Sequence, residues 1–407
     1  RIKKKVLPLL LKSVAPNGRT AKAIRFVEQL QEKSVSEQPV LFSEKACGNG
    51  KKIAIATLNA EKALNSLSLE MVDMISAQTE QWEADESIVC ILLDSAGDRA
   101  FAAGGDIRML YESMVECGEN YNAYATDFFS REYVLNHRLH NFPKPIIAWG
   151  NGFVMGGGMG LFEGADFRVV TESTRIAMPE VTIGLLPDVG GTWFLNQTRG
   201  NSGLFLALTG AQINAADAMY TGLADIFIPH AEKAAMLDAL ATLDWTANAD
   251  ADRKLMTVAL DALQNQHQAL LPAAQLEPHM SWIDDVTSGA NLEDVVAAIT
   301  AYEGDNKWLS RAVGTLKKGC PVSVFLAYEL NKRGRELPLN ECLKLELIGT
   351  VNCAKYGVFR EGIRAQIIEK DNKPDFQPAT LAELSAEMRE QYLTWPWADK
   401  PNPLADL

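Results

Sequence analysis

The stretch that most constrains this 407-residue chain runs from Gly150 to Gly191, GNGFVMGGGMGLFEGADFRVVTESTRIAMPEVTIGLLPDVGG. Its triple glycine, Gly156-Gly157-Gly158, lets the backbone pass close to a ligand and present bare N–H groups. Glu180 and Asp188 follow, set among apolar, proline and glycine residues. A carboxylate held in so rigid a segment and partly removed from water has a raised pKa and suits acid/base or nucleophilic work. Taken alone, Glu180 reads as an exposed loop acid or helix cap, because perturbed acids are a minority.

The flanking pattern places this stretch inside an α/β architecture with parallel-type connections. Lys52–Leu58, Ile88–Leu93 and Pro145–Trp149 read as strands, and Asp166–Thr171 and Thr174–Ala177 as short ones. Ser68–Ala84 carries apolar residues at helical spacing behind Ser68, a plausible N-cap. Ala100–Ile107 reads as a glycine loop, Arg108–Tyr111 as a helix start and Asp127–His140 as a helix. From Ser202 the pattern turns helical, with no strong strand signal after Ile226–Ile228. The expected organisation is a basic leader over 1–38, a core carrying the site over 39–230, a helical region over 231–392 and a frayed, proline-containing tail over 393–407.

Bulk properties exclude several classes. The net charge of −13 argues against a nucleic-acid partner. No apolar run reaches the ~20 residues of a membrane span. The six cysteines show no CxxC pair or zinc-like spacing, which points to free thiols in a reducing, cytoplasmic setting. The leader holds Arg1, Lys3, Lys4, Lys5, Lys12, Arg19, Lys22 and Arg25 before its first acid, Glu28. Such a segment suits a transit peptide, with a mitochondrial matrix location as the alternative, but its lysine-rich, serine-poor composition favours an extension outside the fold.

Three segments are candidates for chemistry. Phe101-Ala102-Ala103-Gly104-Gly105-Asp106 is a glycine turn before a helix start, able to aim N–H groups at an anion and equally able to be a plain tight turn. Met155–Gly160 lacks both the Walker pattern and the distant acid of a dinucleotide site, which leaves close helix packing as its plain reading. The third is Met178 to Gly191. His137 and His140, three residues apart, lack the acid of a zinc site, so no metal is expected. There is no Gly-x-Ser-x-Gly elbow, and Lys317 and Lys318 read as a solvated face.

Together, AFAAGGDI, NGFVMGGGMG and AMPEVTIGLLPDVGGT resemble the crotonase (enoyl-CoA hydratase/isomerase) superfamily. Asp127–Tyr133 and Phe359–Ala365 extend the resemblance toward its 3-hydroxyisobutyryl-CoA hydrolase branch, from about Val40 to Tyr392. The resemblance implies a spiral of ββα units with a mostly helical C-terminal region that often mediates homo-oligomers. It implies an acyl-CoA thioester substrate in valine catabolism and no cofactor beyond the coenzyme A of that substrate. Its carbonyl oxygen would lie between the N–H groups of Gly105 and Gly157, which agrees with reading both glycine loops as anion traps. Glu180 would be the reacting carboxylate, Asp188 its helper, and Glu132 the holder of the distal hydroxyl. Coenzyme A would contact Lys62, Ala63 and Leu64 and the loop Ala103, Asp106 and Ile107, with Arg108 as a phosphate partner. Hydratases of the superfamily carry a glutamate where this chain has Gly160, and that departure favours hydrolysis over hydration. A hydratase or isomerase, or a non-catalytic binding member of the fold, are the rival readings.

Overall fold

The computed structural model describes residues 37–407, so the leader falls almost wholly outside it. Among the described residues, nine strands form two sheets. The larger has the order β1(Val40–Ala46)-β2(Lys52–Leu58)-β3(Ile88–Ser95)-β5(Ile146–Gly150)-β7(Phe167–Val170)-β9(Ile226–Phe227). The smaller has the order β4(Ala100–Ala103)-β6(Phe153–Met155)-β8(Arg175–Ala177). Among the described strands β1 and β2 pair antiparallel and the other pairs are parallel.

The chain alternates between the sheets, β3 to β4, β5 to β6 and β7 to β8, so each turn of a spiral gives one strand to each sheet. This is the ββα arrangement expected of the fold. β3 is buried along nearly its whole length. Both its faces are covered, as the run IVCILL requires. One face meets the inner core; on the other, Leu92, Ile147, Trp149 and Val169 pack with Met236, Leu240, Met256 and Leu260. Those last four lie on the helices Lys233–Ala241 and Ala249–His267, so the first helices past residue 230 cover the sheet itself.

Local signals behave as their chemistry dictates. Ser68 caps the Leu69–Ala84 helix by accepting from the Met71 N–H at 3.2 Å. Ala100–Ala103, read as loop, is strand β4: its small residues let it lie directly against β6, and the glycine turn begins only at Gly104. The tail is not frayed. Leu404 is 1% exposed, Trp395 donates its indole N–H to the Lys400 carbonyl at 2.8 Å, and the Trp397 ring stands edge-on to Tyr121. The prolines stop regular structure there, but the apolar residues between them still bury. All six cysteines are free thiols. Among the described residues, no helix is long and apolar enough to cross a membrane.

Candidate active site

Two glycine turns meet a wall of carboxylates. β4 and β6 pair in parallel and end side by side at Ala103 and Met155. Gly104–Gly105 follows one, and Gly156 with the start of the Gly157–Glu163 helix follows the other. A Cβ at Gly157 would collide with Glu132 Oε1 and lie 3.5 Å from the Gly105 nitrogen. At Gly156, where φ is +49°, it would lie 3.0 Å from Glu180 Oε1 and 3.3 Å from the Gly104 Cα. Any side chain at these two positions would fill the space the carboxylates face. Gly157 opens its helix, so its N–H has no intrahelical acceptor. Both proposed N–H donors therefore sit at one spot, with two acids against it.

That spot is a cavity of about 90 Å³ lined by Gly105, Gly157, Glu132, Glu180, Asp188 and the aromatic rings of Phe128, Phe129 and Phe359. Glu132 and Glu180 are 2% and 4% exposed, and Glu132 Oε1 and Glu180 Oε2 are buried without a hydrogen-bond partner. A buried polar atom left unpaired costs about 1–3 kcal/mol, so such atoms mark a strained or ligand-receiving place. Asp188 accepts from the Tyr133 hydroxyl at 2.7 Å. Burial lifts the Glu180 carboxyl well above its ordinary range, and the charges of Asp188, Glu132 and Glu346 add to it. Burial and then Asp188 do the same to Glu132. Asp188 is raised to about 7 by burial, against the pull of the Tyr133 hydroxyl. Three buried acids with no facing cation among the described residues share protons as a set. One of them can act as a base near neutral pH while another donates.

The turn that carries Glu180 is tethered from the C-terminal half. The Cys320 N–H donates to the Val181 carbonyl at 2.8 Å, and the Gln366 amide donates to the Thr182 carbonyl at 2.5 Å. Asp188 precedes Val189, whose φ of +54° is unusual for a β-branched residue, and Gly190. Glu346, on the helix Leu339–Lys355, accepts from the Gly190 and Thr192 N–H groups at 2.8 and 2.7 Å. Sequence reading missed Glu346, and it assigned no role to Tyr133.

The residues read as coenzyme A contacts also converge. The Ala103 N–H donates to the Leu64 carbonyl at 3.0 Å, and Leu67 and Gly104 pair at 2.9 Å. Asn65, buried with φ +55°, donates to the Ala96 and Ala100 carbonyls and so pins the Lys62–Leu64 turn to β4. Ala103 and Ile107 line the cavity. Asp106 caps the Ile107–Cys117 helix through the Arg108 N–H at 3.3 Å, while Lys62, Ala63 and Arg108 are exposed beside it. His140 stacks edge-on against Trp193, and no group of three possible metal ligands occurs among the described residues.

At Gly160 a Cβ would lie 2.5 Å from Asn136 Nδ2 and 2.7 Å from the Val189 Cβ. Asn136 and the Val189 turn occupy the space a longer side chain would need.

Comparison with known proteins places the chain in a family. A model of the enoyl-CoA hydratase/isomerase family matches residues 53–393. The mitochondrial 3-hydroxyisobutyryl-CoA hydrolase of Danio rerio is 35% identical over 337 residues, covering 83% of this chain and 85% of the relative. That of Homo sapiens is 33% identical over 351 residues, covering 86% and 87%. Among solved structures, a carnitinyl-CoA dehydratase from Mycobacterium thermoresistibile superposes with a TM-score of 0.78 at 33% identity, covering 91% of this chain and all of the other. An enoyl-CoA hydratase from Rhodobacter sphaeroides gives 0.74 at 32%, covering 88% and 97%. The chain belongs to the enoyl-CoA hydratase/isomerase (crotonase) superfamily, in the branch of the 3-hydroxyisobutyryl-CoA hydrolases.

Proposed function

We propose that this protein hydrolyses 3-hydroxyisobutyryl-CoA to 3-hydroxyisobutyrate and free coenzyme A, a step of valine catabolism. One observation carries the reading: two buried carboxyl groups with unpartnered oxygens, Glu132 and Glu180, face the point where the glycine turns bring their N–H groups together. The thioester carbonyl oxygen takes the Gly105 and Gly157 N–H groups. Donors so placed lower the barrier by about 3–4 kcal/mol. Glu180 then either attacks the carbonyl carbon, expelling coenzyme A thiolate and leaving an anhydride that water opens, or takes a proton from the attacking water. Asp188 supplies the proton to the leaving sulfur or orients the substrate hydroxyl, and Glu132 receives the distal hydroxyl. This chemistry draws on no cofactor, so turnover in EDTA should match turnover without it.

Thiol release from a panel of 3-hydroxyacyl-CoA thioesters tests the substrate class. Absence of release from 3-hydroxyisobutyryl-CoA, with release from another member, would reassign the acyl group. A single turnover in oxygen-18 water separates the two routes, because label in Glu180 requires the anhydride. The named solved neighbours are a dehydratase and a hydratase, so hydration is the second reading. Gly160, hemmed by Asn136 and Val189, argues against it. Crotonyl-CoA hydration assayed beside hydrolysis decides between them. The relatives are named mitochondrial, which goes with the matrix alternative and lends nothing to a cytoplasmic location.

A further inference from the structure

The acid helper in the site is held by a residue far away in the chain. Asp188 lies at the head of a turn whose next residue, Val189, has a left-handed backbone. Branched residues do not hold that conformation unaided. Two handles fix the turn. The Tyr133 hydroxyl donates to Asp188 Oδ2 at 2.7 Å. The Glu346 carboxylate takes the Gly190 N–H on one oxygen and the Thr192 N–H on the other, at 2.8 and 2.7 Å. Glu346 is 0% exposed and pairs with no cation among the described residues. A core position filled for packing alone has no use for an acid there. Two converging N–H groups do, since only a carboxylate offers an acceptor to each.

We propose that Glu346 is a positioning residue for Asp188: by gripping the backbone on both sides of Gly191 it fixes where the Asp188 carboxyl stands in the cavity. The inference rests on the reading that Asp188 works in the reaction. Through this grip the Leu339–Lys355 helix sets the geometry of an acid 158 residues before Glu346 in the chain. Glutamine at 346 keeps the size but turns one acceptor into a donor facing an N–H. Aspartate keeps both acceptors and shortens the reach by one methylene.

The test uses the full chain and two readouts. Hydrogen exchange of the Gly190 and Thr192 amides should quicken in Glu346→Gln, while that of Ile183, which donates to the Glu180 carbonyl, stays as in wild type. With 3-hydroxyisobutyryl-CoA, kcat should fall about 10²-fold, the scale of a misplaced catalytic group, at a nearly constant KM. Glu346→Asp should fall between wild type and Glu346→Gln. In the Asp188→Asn background the same glutamine should cost less than about threefold more, because the group it aims is already gone. A kcat within about threefold of wild type, or the full loss repeated in Asp188→Asn, overturns the proposal. So does unchanged exchange at Gly190 and Thr192. Should the wild-type chain cleave none of the thioesters, the functional reading fails by itself, and the exchange readout alone decides whether Glu346 holds this turn.

Discussion

The Gly157–Glu163 helix has a buried carboxylate at each end, and the two are housed differently. At its start, Gly157 faces Glu132, whose Oε1 has no partner. At its end, Glu163 meets Arg168 at 2.6 Å, and the same guanidinium binds Asp225 at 2.8 Å. Burial lifts Glu163 to about 7 while Arg168 pulls against it. Burial also opposes the Arg168 charge, and its two carboxylates more than offset that. Burial alone therefore does not separate a working acid from a structural one. What separates them is the partner: the structural end spends its carboxylates on a cation, and the cavity end leaves its own facing open space and two N–H groups.

The largest effect is expected at the cavity end. Glu180→Gln should lower thioesterase kcat by about 10³-fold or more while leaving acyl-CoA affinity near wild type, as free-thiol assay and calorimetric titration would read. Retained turnover would remove Glu180 from the chemistry and erase the contrast. At the structural end, Arg168→Met should destabilise the fold by about 3–5 kcal/mol in urea unfolding, since two carboxylates lose their cation. Its kcat per folded molecule should hold, and a parallel loss of kcat would show that the two ends are not independent.

A smaller effect is expected between them. Gly160→Glu should cost about 1–3 kcal/mol of stability through overpacking against Asn136 and Val189, and should gain no crotonyl-CoA hydration. Last is the pH response. Asp188 at about 7 holds a proton in the fold that the unfolded chain gives up near pH 4. Its contribution is complete below pH 4 and is lost as pH rises through 7. Asp188→Asn should therefore gain stability relative to wild type between pH 5 and pH 8, by at most about 3 kcal/mol, measured by urea unfolding at both values. Equal changes in the two proteins would mean that Asp188 is not protonated in the fold.

The sequence carried the local part of this picture well. β2 and the Ser68-capped helix stand where the pattern places them, because alternation and a cap are near-neighbour signals. The two glycine turns are legible as turns for the same reason. β1 was not, since VLFSEKA is half exposed and mixes charge into a strand; β6 is three residues long and carries no periodicity. Glu346 sits in LKLELIG, where it reads as an ordinary helical acid, and only the fold brings it to Gly190. The docked tail escaped notice because proline spacing reports regular structure and says little about packing. Gly160 gained meaning only through the family resemblance, and the structure adds the physical reason in Asn136.

The Cys320 and Gln366 tethers bear on how this protein can be recombined. The strands and glycine turns form one continuous stretch of chain, which invites treating the spiral as a module to be cut out or given a new helical half. The Glu180 turn, however, is anchored at two successive carbonyls by residues more than a hundred positions downstream. A chimera with its junction near residue 230 would inherit the acids without their anchors. Such a hybrid can keep its sheets and still lose its reaction, so viable crossovers must carry both halves from one parent.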